Sequence, residues 1–230
     1  MFSIIFPMDT NRLEQFKNTK RVYDEMPEQK EFIILTRNEF EVACYLDDNN
    51  LTKDVILIPY EVKEGFNPSK AFNVGIRNSH YKHIIITSPE VKPTPYVLAQ
   101  LAAQGDKNVI CRVFDEAENG VLSSLVHKGY RDETPAMYFL AMFNKSDIKK
   151  LNGWDEEFMK GYAYEDNDFG ARWVRAGLPW ETNENITAVH QFHPRSETIQ
   201  NGSTINLRRY EDNNNEKLIR PVNGLVNLDI

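Results

Sequence analysis

A chain of 230 residues with 41% apolar residues, including 13 Phe, 10 Tyr and 3 Trp, is long enough to bury a sizeable core as one large domain or two small ones. A formal net charge of −7 argues against nucleic acid or an acidic membrane surface as a general partner. No stretch approaches the roughly 20 apolar residues of a membrane span. The opening MFSIIFPMDTNR lacks the basic start and long apolar run of a signal peptide. Two cysteines, Cys44 and Cys111, make no disulfide or metal framework, so a reducing, cytoplasmic setting is the expectation.

Phe2–Phe6 is a short apolar run ended by Pro7 and reads as a buried strand. Asp9-Thr10-Asn11 is an N-cap cluster for a helix from Arg12 to about Glu25, with Leu13, Phe16 and Val22 at helical spacing. Glu31–Thr36 is a second buried strand. Glu39–Asp47 is a helix with Cys44 expected in its apolar face, and Val55–Pro59 is a third strand. Strands alternating with helices argue for a parallel sheet covered on both faces, with ligands beyond the C-terminal strand ends. Those ends carry Pro7-Met8-Asp9, Thr36-Arg37-Asn38 and Tyr60-Glu61.

A turn at Gly65–Ser69 leads into a helix over Lys70–Ser79, where Lys70, Asn73 and Arg77 share one face. His83–Thr87 is the next strand and runs into Ser88-Pro89-Glu90. A helix over Tyr96–Ala103 and a strand over Val109–Val113 follow. Asp115 to Arg131 is polar, has no clear period and reads as a long loop or a small excursion. Met137–Phe143 is a strand, Lys145–Leu151 a short helix, and Ile186–Phe192 a last strand holding His190. Asn201–Glu216, rich in Asn, Arg and Asp, reads as a mobile surface segment.

The densest chemistry lies in LNGWDEEFMKGYAYEDNDFGARWVRAG, Leu151 to Gly177. Glu165-Asp166-Asn167-Asp168 opens a helix whose apolar face is Phe169, Trp173 and Ala176, and which Gly177 and Pro179 stop. At a helix N-terminus the dipole is expected to keep these carboxylates ionised. Asp168 and Arg172 are spaced to pair. Trp154, Tyr162 and Tyr164 beside fixed carboxylates suit a sugar, whose C–H faces stack on rings while its hydroxyls meet acids. A capped surface helix with an acidic first turn is the plain alternative.

In this order the residues resemble a GT-A glycosyltransferase of the broad family-2 type. The stretch from Asn152-Gly153-Trp154-Asp155-Glu156 through Glu165-Asp166-Asn167-Asp168 and Arg172 is similar to the family's galactosyltransferase-type C-terminal segment. The resemblance covers most of residues 1–195. It implies an α/β, Rossmann-like GT-A fold with a mixed, mostly parallel sheet flanked by helices. Within it a nucleotide-binding part would span about 1–113 and an acceptor part about 114–195, with 196–230 a partly mobile extension.

It also implies a nucleotide-sugar donor, with a UDP-sugar as the family's default, a divalent cation (Mn²⁺ or Mg²⁺), and a glycan or other hydroxyl acceptor. The donor side falls on Pro7, Met8, Asp9, Arg12, Arg37, Lys70, Asn73, Arg77 and Ser88. The family's second strand usually ends in an aspartate that helps hold the base, whereas this chain has Thr36-Arg37. The metal motif Asp-x-Asp falls on Ser88-Pro89-Glu90 and keeps one carboxylate, Glu90. The later metal ligand falls on His190, with His193 as the alternative. Asp166 matches the family's base. Glu165 or Asp168 would hold hydroxyls, with Trp154, Tyr162 and Tyr164 shaping the acceptor site. Arg208 or Arg209 from a closing C-terminal loop would add charge at the leaving diphosphate. Inversion of the sugar carbon is the outcome such a base suits. A catalytically inactive sugar-nucleotide-binding domain and a sugar nucleotidyltransferase are the competing readings; the second would want a glycine-rich phosphate loop, which Met8–Arg12 lacks.

Overall fold

A computed structural model describes residues 1–60, 68–124, 139–160, 163–194 and 203–226. Four strands, β1 (Phe2–Pro7), β2 (Lys30–Thr36), β3 (Val55–Pro59) and β4 (His83–Thr87), run parallel in the order β3-β2-β1-β4. The sheet continues through β8 (Leu140–Asn144), antiparallel to β4, then β6 (Val109–Glu116), β9 (Glu181–His190) and β5 (Val91–Pro93). The short β7 (Leu122–Ser124) folds back on β6 as a hairpin. Because β8 is antiparallel to both β4 and β6, β6 and β9 run in the same direction as β1 to β4. All six therefore end at one edge of the sheet.

Helices cover both faces, as near-continuous apolar strands demand. On one face Ile4, Phe6, Phe32 and Ile34 pack against Phe16 and Tyr23 of α1 (Leu13–Asp24), Val42 and Leu46 of α2 (Glu39–Asp48) and Leu98 and Leu101 of α4 (Val97–Ala102). On the other, Ile5, Ile33, Ile84 and Phe143 meet Ala71, Phe72 and Ile76 of α3 (Pro68–Asn78), Ile148 of α5 (Lys145–Lys150), and Phe169 and Trp173 of α6 (Glu165–Arg175). The alternation Ile4/Ile5/Phe6 sends neighbours to opposite cores. At Gly75 α3 lies so close to β1 that an added Cβ would stand 2.6 Å from Ile5 Cγ2. Glycine is required there by the close approach.

Several expected elements differ. Cys44 is exposed, because only Val42 and Leu46 of α2 turn inward. Of the loop or small excursion expected after Asp115, the described part is the end of β6 and the β7 hairpin; 125–138 lies outside the described residues, as do the Gly65–Asn67 part of the expected turn, Gly161 and Tyr162. The segment expected to be mobile forms α7 (Ser203–Asn215), which packs on α6 with Asn206, Tyr210 and Asn213 buried. Its few apolar residues conceal this: the helix is held by amide side chains as much as by apolar contact.

β9 starts earlier than expected, at Glu181, and its pairing with β6 jumps. Cys111 is opposite Asn183, but Arg112 is opposite Thr187, so Glu184, Asn185 and Ile186 form a bulge. Beyond it Asp115 is opposite His190.

Candidate active site

The edge where the parallel strands end carries the first polar cluster. The Asp9 side chain caps the turn before α1 at Thr10 N (2.9 Å) and takes hydrogen bonds from Arg37 Nη2 (2.5 Å) and Asn38 Nδ2 (2.9 Å). Met8, grouped with them from sequence, has its side chain in the core. After β4, Ser88-Pro89-Glu90 turns back, with Val91 N bonded to Ser88 O (3.0 Å). This places Glu90 4.0 Å from Arg12 Nε.

Glu90, His190 and His193 converge. One ligand atom from each lies within 4.8 Å of the other two. His190 Nε2 is 3.7 Å and His193 Nε2 3.8 Å from Glu90 Oε1. Each ring's other nitrogen is held elsewhere, His190 Nδ1 by Asp115 Oδ1 (2.9 Å) and His193 Nδ1 by Pro194 O (3.1 Å). Glu90 Oε2 is buried and has no hydrogen-bond partner among the described residues. Burial pushes the Glu90 carboxyl up, but the hydrogen bond and charge of His190, with Arg12, bring it below the ordinary range. Burial lowers His190, and Glu90 and Asp115 outweigh it, so its imidazole is raised. His193 is lowered, chiefly by burial. One carboxylate oxygen and two imidazole nitrogens gathered within 4.8 Å of one another fit a divalent cation.

The acid pair sits at the same edge on the other face of the sheet. Beyond the C-terminal end of α6, Pro179 O bonds Asn108, just before β6 begins, so the start of α6 lies at the far end, where β6 ends. Asp166 is buried and Glu165 half-buried. Burial raises both carboxyls above the usual carboxylate range, Glu165 also through the neighbouring charge of Asp166. Backbone N–H groups of the first turn pull Asp166 down, as the dipole argument requires, yet desolvation prevails. The dipole alone therefore does not set the protonation of the pair, since removal from water raises both carboxyls.

A buried polar network holds this helix start in place. Asp168 Oδ2 takes Arg172 Nε (2.6 Å), and Asp168 Oδ1 takes Asn213 Nδ2 (2.8 Å). Arg172 Nη1 reaches Leu151 O (3.2 Å) and Gly153 O (2.9 Å). Asp155 takes Arg209 Nη2 (2.9 Å) and Asn213 Nδ2 (3.1 Å). Asn206 Nδ2 donates to Ala163 O (2.8 Å), and Tyr210 stacks on Tyr164. Ala163 and Tyr164 both have positive φ, 61° and 71°, an uncommon backbone for non-glycine residues.

The network overturns several sequence expectations. Asp168 is fully buried and spent on Arg172 and Asn213, so it offers no oxygen to a ligand. Trp154 is fully buried, its ring stacked on Phe169 at 3.7 Å, and presents no face to a sugar. Asn73 is buried and tied to Trp154 N and O (2.9 Å each), so it faces the 151–156 turn rather than a cleft. Arg77 donates to Leu225 O (3.1 Å) and Arg209 to Asp155, which makes both braces of the C-terminal segment. Lys70 remains at the start of α3, half-buried. Asp115 and Asn213 carry roles that sequence reading missed.

Residues 127–195 match the family model for the N-terminal domain of galactosyltransferase. Among solved structures, TarS of S. aureus in complex with UDP-GlcNAc superposes with a TM-score of 0.66 at 13% identity, covering 85% of this chain and 59% of that one. The mannosyltransferase PcManGT of Pyrobaculum calidifontis, in complex with GDP-Man and Mn²⁺, gives 0.57 at 17% identity, covering 90% and 60%. The chain thus spans less than two thirds of either protein. No curated protein matches it at a significant level. The fold is that of the GT-A glycosyltransferases.

Proposed function

We propose that this chain is a glycosyltransferase that moves a sugar from a nucleotide-diphosphate-sugar donor to an acceptor hydroxyl, with inversion. The observation that carries the reading is the convergence of Glu90, His190 and His193 at the same sheet edge as the raised acid pair Glu165–Asp166. The galactosyltransferase match over 127–195 and the nucleotide-sugar complexes of the structural neighbours support it.

Pro7, Asp9, Arg12, Arg37 and Ser88 would line the donor side, with Lys70 at the start of α3 adding charge. Glu90, His190 and His193 would hold a divalent cation, which when bound neutralises charge on the leaving diphosphate. Asp166 would accept the proton of the acceptor hydroxyl as its oxygen bonds to the sugar C1 and the C1–O bond to the diphosphate breaks. A carboxyl raised toward neutrality is a stronger base than an ordinary one, provided it stays ionised at the working pH. Glu165, beside it at the helix start, would hold a hydroxyl of the donor or the acceptor. Tyr164, stacked on Tyr210, would offer a ring beside the acceptor. A second reading, a domain that binds sugar nucleotides without turning them over, is favoured by the single carboxylate of Ser88-Pro89-Glu90.

A thermal-shift screen of UDP- and GDP-sugars with and without Mn²⁺, followed by donor turnover, separates these. A donor at a hundred times its dissociation constant is expected to add about 2.7 kcal/mol. Mn²⁺-dependent stabilisation with turnover supports the transferase, and stabilisation without turnover supports the binding domain. No response to any sugar nucleotide overturns both.

A further inference from the structure

We propose that Asp115 is a positioning residue for the cation site, fixing the proton of His190 on Nδ1 so that Nε2 faces Glu90 and His193 as a free lone pair. The inference rests on the reading of Glu90, His190 and His193 as cation ligands. A neutral imidazole has one protonated and one lone-pair nitrogen, and the partner of the first decides which is which. Asp115 Oδ1 stands 2.9 Å from His190 Nδ1, while Nε2 of the same ring is the atom 3.7 Å from Glu90 Oε1. A carboxylate on the outer nitrogen orients the ring and makes the inner nitrogen a better ligand.

Three features make this arrangement part of the fold rather than a passing contact. Asp115 and His190 are direct partners across the parallel strands β6 and β9, so backbone pairing sets their approach. The ring of Phe139 meets His190 edge-on, with centroids 5.5 Å apart, and restrains its rotation. One residue beyond Asp115, Glu116 Oε2 accepts from Phe192 N (3.2 Å) and ties the strand ends together past the histidine. The second histidine follows the same pattern with a backbone acceptor, Pro194 O, on its Nδ1.

The test uses the full chain and two readouts. In the first, Mn²⁺ is titrated into the wild type and Asp115→Asn, with free Mn²⁺ followed by electron paramagnetic resonance. The variant is expected to bind about 10–100-fold more weakly while melting with the wild type in EDTA. In the second, long-range ¹H–¹⁵N spectra of the metal-free wild type at alkaline pH, with His190 assigned from the peak lost in His190→Gln, are expected to show the proton on Nδ1. This measurement needs no folded Asp115 variant. Equal Mn²⁺ affinity in both proteins, or a proton on Nε2 of His190, overturns the inference and leaves the cation site standing. A wild type that binds no Mn²⁺ overturns the inference and the cation site together.

Discussion

The two polar regions around α6 are built in opposite ways, although Asp166 and Asp168 are only two residues apart. Below the helix start, Asp155 and Asp168 face Arg172, Arg209 and Asn213, and every carboxylate has a partner. At the sheet edge, Glu165 and Asp166 crowd together with their carboxyls raised by burial, and Glu90 keeps one buried oxygen without a hydrogen bond among the described residues. The first region pairs its carboxylates within the fold, although Arg172 Nη2 has no hydrogen-bond partner among the described residues. The second holds titratable groups whose affinities for protons are displaced by burial and by one another, which is characteristic of functional sites.

Substitutions that respect shape should therefore separate the two. The largest effect expected is on chemistry: Asp166→Asn keeps the helix start and removes the proton acceptor. Turnover should fall on the order of 10²–10⁴-fold with donor affinity largely kept, measured by steady-state kinetics against thermal-shift affinity. A variant of near-wild-type turnover removes Asp166 from the base role.

Next comes Asp168→Ala in the first region. It strands the guanidinium of Arg172, which is fully buried. Breaking such a pair costs about 3–5 kcal/mol, so denaturant unfolding should show a large loss. A cost below about 1 kcal/mol would mean this pairing is not what holds α6.

Asn213→Ala is milder. It removes two hydrogen bonds to carboxylates, and a loss of about 1–3 kcal/mol is expected. The same unfolding experiment checks it, and a neutral result would detach α7 from the comparison.

The smallest effect is on pH dependence. The folded pKa values of Glu165 and Asp166 are raised above their unfolded values, so the native state holds more protons between the two. Stability then falls as pH rises from the ordinary carboxylate range through the raised folded values. Glu165→Gln should melt above the wild type in mildly alkaline buffer, by no more than about 4 °C, with the gap closing toward pH 4. A gap that widens in acid would reverse the sign assigned to this pair.

Much of the scaffold and half of the candidate site were legible in the sequence. The runs SIIF, FIIL and HIII announce strands buried on both sides, and Phe169, Trp173 and Ala176 mark the inner face of α6. Glu90 and the two histidines came from the order of motifs, and the structure brings them together. The side of each aromatic was not legible: a Trp beside acids reads the same whether its ring lies over a sugar or, as Trp154 does, over Phe169. Nor was α7, because Asn206 and Asn213 act through buried amides that composition scores as surface. The Asp115–His190 contact spans 75 residues and depends on a register jump that no local pattern predicts.

That jump in β9 has a consequence for how the chain tolerates change in length. Side chains of a strand alternate faces, so a one-residue slip would turn His190 away from Asp115 and Glu90. The bulge uncouples the two halves of the strand: Asn183 and the residues before it keep step with Val109–Cys111, while Thr187–His190 keep step with Arg112–Asp115. Glu184 and Asn185 are exposed slack between them. An insertion or deletion there is expected to be absorbed without moving the histidine, whereas the same change at Ala188 or Val189 would reverse its facing. Length variation among natural relatives of this chain should accordingly gather at 184–185 and be absent between 187 and 190.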